Sequence, residues 1–74
     1  MSDKRILWVE DSSLINRLDY WPEEKIMDAL FEKGGALYRY FDVDRVDFAT
    51  ICAAESVGST FHTLVNGKKY ERLI

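Results

Sequence analysis

The sequence is short of the residues that small folds use for reinforcement. It has one cysteine, one proline and one histidine in 74 residues. A lone Cys52 excludes an internal disulfide. Cys52 and His62 together cannot fill the four-ligand shell of structural zinc, so no metal or other cofactor is expected. No apolar run approaches the roughly 18 residues of a membrane-spanning helix. The opening Met1-Ser2-Asp3-Lys4-Arg5 leads only into Ile6 to Val9, too short for the apolar region of a signal peptide. With a lone cysteine and no export signal, the expected compartment is the cytoplasm.

Basic charge is also scarce. The net charge is −3. Residues 1–18 are neutral overall, residues 19–55 carry −5 and residues 56–74 carry +2. Nucleic-acid binders usually show a basic footprint. Here only Lys68, Lys69 and Arg72 cluster, and the middle of the chain would repel phosphate.

What the chain does have is apolar content, 47% hydrophobic and 14% aromatic, which argues against disorder. Residues 1–74 make one domain. A chain this short buries about 60% of its unfolded surface and has a net stability of roughly 3–5 kcal/mol. Little surplus remains for a deep, water-excluding active site, so binding is expected rather than catalysis.

Period-two stretches over Ile6–Val9, Leu14–Trp21, Ile26–Phe31 and Ala36–Phe41 predict strands. Pro22-Glu23-Glu24 predicts a turn with Pro22 at its first corner. Gly34-Gly35 predicts a two-residue hairpin turn, because glycine accepts the positive φ it needs. The spacing Phe48, Ile51, Cys52, Glu55 is helical. Asp44 suits its N-cap, Asp47 the capping-box position, and Val43 a hydrophobic staple onto Phe48. Gly58 is expected to end this helix. A short second helix, capped by Ser59 with Phe61, Leu64 and Val65 on one side, is expected to stop at Asn66-Gly67. Lys68–Ile74 reads as a last strand or an extended tail. The expected fold is α+β: an antiparallel three- to four-stranded β-meander followed by one main helix and a short second helix.

Strand alternation divides the side chains between two faces. Leu18, Tyr20, Met27, Ala29, Phe31, Ala36, Tyr38 and Tyr40 share the face expected beneath the helix. Ile15, Arg17, Asp19, Trp21, Ile26, Asp28, Leu30, Leu37, Arg39 and Phe41 share the other, where Arg17, Asp28 and Arg39 are placed for cross-strand pairing. An apolar face rimmed with charge and left uncovered marks an interface.

The order of several short motifs resembles the KTSC domain family. Val9-Glu10-Asp11-Ser12-Ser13-Leu14-Ile15 is similar to its V-x-SS-x-I opening with one extra residue. Tyr20 and Met27-Asp28-Ala29-Leu30-Phe31 follow its pattern. Gly34-Gly35-Ala36-Leu37-Tyr38-Arg39-Tyr40-Phe41-Asp42-Val43 matches its central Tyr-x-Tyr signature with flanks. Ala54-Glu55-Ser56-Val57-Gly58 with Phe61 resembles its A-x-S-x-G-x-x-F stretch, and Val65, Gly67, Tyr70 and Glu71 its ending. The resemblance spans residues 9–72. It implies a domain found at the C-terminus of some lysyl-tRNA synthetases and as small stand-alone proteins of bacteria and phages. RNA binding has been suggested for the family, which has no agreed catalytic function. This chain departs from it: Val57 and Ser59 stand where lysines are frequent, and Asp44 where proline is usual. Both changes weaken direct RNA contact.

Two functional readings follow. The first is a non-enzymatic regulator docking on a protein of a nucleic-acid-processing assembly, such as RNA polymerase or the translation apparatus, through Trp21, Leu30, Leu37, Arg39 and Phe41. Tryptophan and arginine are enriched at interface hot spots; Trp8 and Trp21 are the residues of that kind to watch. The second is an RNA-binding module using Lys68, Lys69 and Arg72, with bases stacked on Tyr38 and Tyr40. Sharing a face with Phe31 and Met27 favours a core role for both tyrosines instead. Catalysis by Cys52 with His62 is disfavoured, because Cys52 on the apolar helix stripe is expected to be a buried, inert thiol. Asp42, Asp44 and Asp47 lack the glutamate that a calcium loop places twelfth, where Ala53 stands. Ser56–Thr60 lacks the glycine-lysine centre of a phosphate loop.

Overall fold

A computed structural model of the chain describes residues 3–10 and 12–74. Asp11, in the first stretch of the family resemblance, lies outside the described residues, as do Met1 and Ser2. The elements are β1 Arg5–Trp8, β2 Ile15–Trp21, β3 Ile26–Phe31, β4 Leu37–Tyr40, α1 Arg45–Ala53, α2 Val57–Val65 and β5 Tyr70–Arg72. The five strands form one antiparallel sheet in the order of the sequence. The α+β meander expected from the pattern is present. The C-terminal stretch is a true strand on β4, which brings the count to five.

Local chemistry accounts for the turns. The β2–β3 turn is Pro22–Lys25, with Lys25 in the left-handed region at φ 58°. The β3–β4 turn needs positive φ at Gly34 (77°) and Gly35 (65°), as the glycine pair suggested. It is longer than two residues, however. The Phe31 N–H donates to the Ala36 carbonyl at 2.8 Å, so Glu32 and Lys33 join the glycines in the loop.

The pairing register corrects one assignment of faces. Ile15 lies opposite Phe31 but Arg17 lies opposite Leu30, so the ladder slips by one residue around Asn16. This β-bulge turns Ile15 onto the helix-covered face, where it is fully buried, instead of the outer face.

Helix α1 starts as its sequence suggests. Asp44 is its N-cap, and the Asp44 N–H donates to Asp47 Oδ2 at 3.4 Å. It stops at Ala53, short of Glu55. Gly58 does not end it, and Ser59 does not cap the next helix. Ser56 caps α2, its hydroxyl accepting the Ser59 N–H at 3.4 Å, and Gly58 lies inside the first turn. A close approach explains glycine there. A Cβ at Gly58 would stand 2.6 Å from Ser12 Oγ, which already accepts the Leu14 and Ile15 N–H groups at 3.0 and 3.3 Å. Gly58→Ala is expected to cost about 1–2 kcal/mol net of its gain in helix propensity. In a Ser12→Ala background the same change should be neutral or stabilising, read by urea denaturation. Equal costs in both backgrounds would refute the contact.

Both helices cover the same side of the sheet. Their buried residues Ile51 and Phe61 join Ile15, Leu18, Tyr20, Met27, Ala29, Tyr40 and Val43 in one cluster. Phe61 is central, its ring edge-on to Tyr40 at 5.4 Å and to Phe31 at 6.1 Å. Tyr20 stacks on Phe48 at 4.6 Å, and its buried hydroxyl donates to the Val43 carbonyl at 2.7 Å. Val43 in turn donates its N–H to the Lys25 carbonyl at 3.0 Å, tying the entry to α1 to the β2–β3 turn.

Candidate protein-docking face

Among the described residues, no helix covers the other side of the sheet. Antiparallel register sorts its side chains into three rows running across the strands. The first is Trp8, Arg17, Leu30 and Leu37. The second is Ile6, Asp19, Asp28, Arg39 and Glu71. The third starts with the Trp21–Ile26 pair and continues through Phe41, whose N–H donates to the Lys69 carbonyl at 3.0 Å. Trp21, Leu30, Leu37, Arg39 and Phe41 therefore share one surface, all half-buried by their neighbours. Trp8 and Ile6 extend it and are more open; Trp8 is 65% exposed.

The middle row holds acids beneath cations. Asp28 is only 5% exposed and takes a two-pronged contact from Arg39, Nε to Oδ1 at 2.8 Å and Nη2 to Oδ2 at 3.0 Å. That hydrogen bond raises the Arg39 pKa above its ordinary value. Asp19, 6% exposed, lies 3.1 Å from Arg17 Nε and 3.8 Å from Lys4 Nζ. The Arg17 contact is out of line, and neither Arg17 Nε nor Asp19 Oδ1 forms a hydrogen bond. The cations lean over aromatic rings: Arg17 over Trp8 at 5.5 Å, Lys4 and Arg39 over Trp21 at 5.8 and 5.7 Å, and Lys69 over Phe41 at 5.7 Å.

Of the residues singled out for RNA, Tyr38, Tyr40 and Lys68 line one shallow pocket of about 300 Å³ with His62 and Tyr70, Arg72 lies over Tyr38, and Lys69 alone is set apart from them. Tyr38 and Tyr40 point to the helix side, and Tyr40 is 8% exposed, with burial raising its phenol pKa. Tyr38 packs edge-on to Phe31 at 5.3 Å beneath the Arg72 guanidinium at 5.8 Å. Arg72 Nε donates to the Ile74 carbonyl at 2.8 Å. Lys68 Nζ donates to the Asp42 carbonyl at 2.8 Å and pairs with Asp47 at 3.5 Å. Lys69 faces the opposite side of the sheet. Neighbours in sequence are split by the pleat of β5. Tyr70, part of the motif that ends the family resemblance, completes a tyrosine cluster with Tyr38 and Tyr40 at 5.8 and 5.9 Å.

Cys52 also departs from expectation. It is exposed, because the nine-residue α1 buries a narrower stripe than the spacing suggested, with Ile51 inside and Phe48 half-buried. Partial desolvation still pushes the thiol pKa up, which opposes thiolate formation. His62 borders a shallow pocket of about 480 Å³ with Ser12, Ser56 and Ser59, and Cys52 is not part of that lining. Among the described residues no helix is long and apolar enough to cross a membrane.

Comparison with known proteins agrees with this architecture. The KTSC domain model matches residues 11–70. The chain belongs to the KTSC domain family. A KTSC domain protein from Yersinia pestis, solved by crystallography, shares the fold at a TM-score of 0.84 with 22% identity, covering 97% of this chain and 100% of that one. No curated protein matches the chain by sequence. In this KTSC domain two stretches that carry the resemblance, Ser12-Ser13 and Ser56-Val57-Gly58, meet at the Gly58–Ser12 contact.

Proposed function

We propose that this KTSC domain is a non-catalytic docking module that works in the cytoplasm. Its uncovered sheet face, with Trp21, Leu30, Leu37, Arg39 and Phe41 at its centre, seats on a protein of a nucleic-acid-processing assembly and regulates it. RNA polymerase and the translation apparatus are assemblies of that type. One observation carries the reading: both helices pack on the same side, so among the described residues no layer covers the other face, where aromatic and aliphatic side chains flank a charged central row. The acidic net charge and the pairing of Lys68 with the Asp42 carbonyl and Asp47 support a protein partner over RNA. The family's occurrence on lysyl-tRNA synthetases points to the type of assembly.

Affinity capture from bacterial lysate, with and without nuclease, tests this. The unmodified domain should retain a partner after nuclease treatment. Leu37→Asp with Phe41→Asp should lower capture by at least about tenfold, because each buries a carboxylate in the contact. Circular dichroism confirms that the variant is folded. Trp8→Ala, at an exposed position, is a milder control for the same face. Capture that disappears with nuclease would replace the reading with RNA tethering, and capture indifferent to the double substitution would place the interface elsewhere.

A further inference from the structure

The third row of the open face has an ordered composition that names the chemistry of its occupant. From one edge to the other it reads Lys4, Trp21, Ile26, Phe41, Lys69. Trp21 pairs with Ile26 across β2 and β3. Ile26 and Phe41 stand one step beyond the Met27–Tyr40 pair. Phe41 is bonded to Lys69 through the backbone. Lys4 lies 5.8 Å from the Trp21 ring centroid and Lys69 5.7 Å from that of Phe41. The row is thus an aliphatic floor between two aromatic rings, closed at each end by an exposed lysine.

Resting on the docking reading above, we infer that this row binds an extended acidic segment of a partner protein. The segment crosses the strands with an apolar side chain over Ile26 and a carboxylate at each lysine. Strand spacing of about 4.8 Å puts the two ends of the row roughly 19 Å apart. An extended chain rising about 3.3 Å per residue covers that in about six residues.

Charge complementarity selects an acidic occupant. The protein as a whole carries −3, yet this row carries two exposed ammonium groups and no acid. Of the acids in the adjacent row, Asp28 is held by Arg39 and Asp19 lies 3.1 Å from Arg17, with the Lys4 ammonium farther off at 3.8 Å, and Glu71 is exposed at the far edge of the sheet. A nucleic acid fits less well. Its continuous phosphates would lie across the apolar Ile26 and beside the two buried carboxylates, while the cations sit only at the ends.

Panning a random twelve-residue peptide library on the intact domain at low salt tests the inference. Enriched peptides should carry two acidic residues five to seven positions apart with an apolar residue between. A synthetic peptide of that consensus should shift Trp21 fluorescence and lose about tenfold in affinity on Lys4→Glu with Lys69→Glu. Panning on that double variant should instead enrich basic residues at the same two positions. Enrichment of basic or neutral peptides by the unmodified domain, no enrichment, or tighter binding of a twelve-nucleotide single-stranded RNA at the same row would each overturn it. The two readings fail differently. Non-acidic peptides that are lost on Leu37→Asp with Phe41→Asp would sink the acidic segment but keep the face. Peptides indifferent to both double substitutions would sink both.

Discussion

Phe61→Ala is expected to unfold most of the population at 37 °C. Phe61 is 1% exposed and packs against Tyr40 and Phe31 from α2, joining the second helix to the sheet. Truncating a buried phenylalanine costs about 3–5 kcal/mol, from lost transfer energy plus the cavity left behind. A core of this size supplies roughly 3–5 kcal/mol in total, so one substitution consumes nearly all of it. The surroundings have little room to relax. Tyr40 is held in β4, Phe31 in β3, and no disulfide limits the unfolded chain. Thermal denaturation followed by circular dichroism checks this. Retention of a cooperative transition within a few degrees of the unmodified protein would mean that α2 contributes little to the core.

Arg39→Met should be the most damaging single change on the open face. Removing one member of a buried charge pair costs about 3–5 kcal/mol, because the other charge is left without compensation. Arg39 is 23% exposed, so water softens the loss, and about 2–3 kcal/mol is expected. The companion Asp28→Val with Arg39→Met should recover most of that, since an apolar pair needs no counter-ion. Urea denaturation of the two variants separates the cases. If the double variant is no more stable than the single, the loss lies in packing against Trp21 and not in an abandoned carboxylate. The pair also matters to the proposed role. It places charge in the centre of an otherwise greasy surface, which discourages indiscriminate association.

Much of this architecture was legible because its punctuation is local. Pro22, the Gly34-Gly35 pair and Asp44 with Asp47 each carry their conformational preference in their own chemistry, and each acts in the structure as that preference dictates. The division of the sheet into two faces follows from alternation, which groups Trp21, Leu30, Leu37, Arg39 and Phe41 on one of them. What escaped depended on contacts distant in sequence. Nothing in Leu14-Ile15-Asn16-Arg17 announces an extra residue; the bulge is visible only in the pairing with Phe31 and Leu30. Gly58 reads as a helix terminator unless Ser12, 46 positions earlier, is known to press against it. Cys52 looked buried because period alone does not say how wide a stripe a short helix presents. Lys4 and Lys69 were not assigned to the open face, since that depends on where β1 and β5 join the sheet.

The strictly sequential strand order carries a consequence for synthesis. Residues 5–40 contain four of the five strands, each paired with its predecessor through a short connection, and every one leaves the ribosome before the helical hairpin does. At about 5–20 residues per second, the nascent ribbon spends one to several seconds, in order of magnitude, with Tyr20, Met27 and Tyr40 bare on one side and Trp21 and Phe41 bare on the other. The arrival of Ile51 and Phe61 shelters one side and leaves the other as the finished protein presents it.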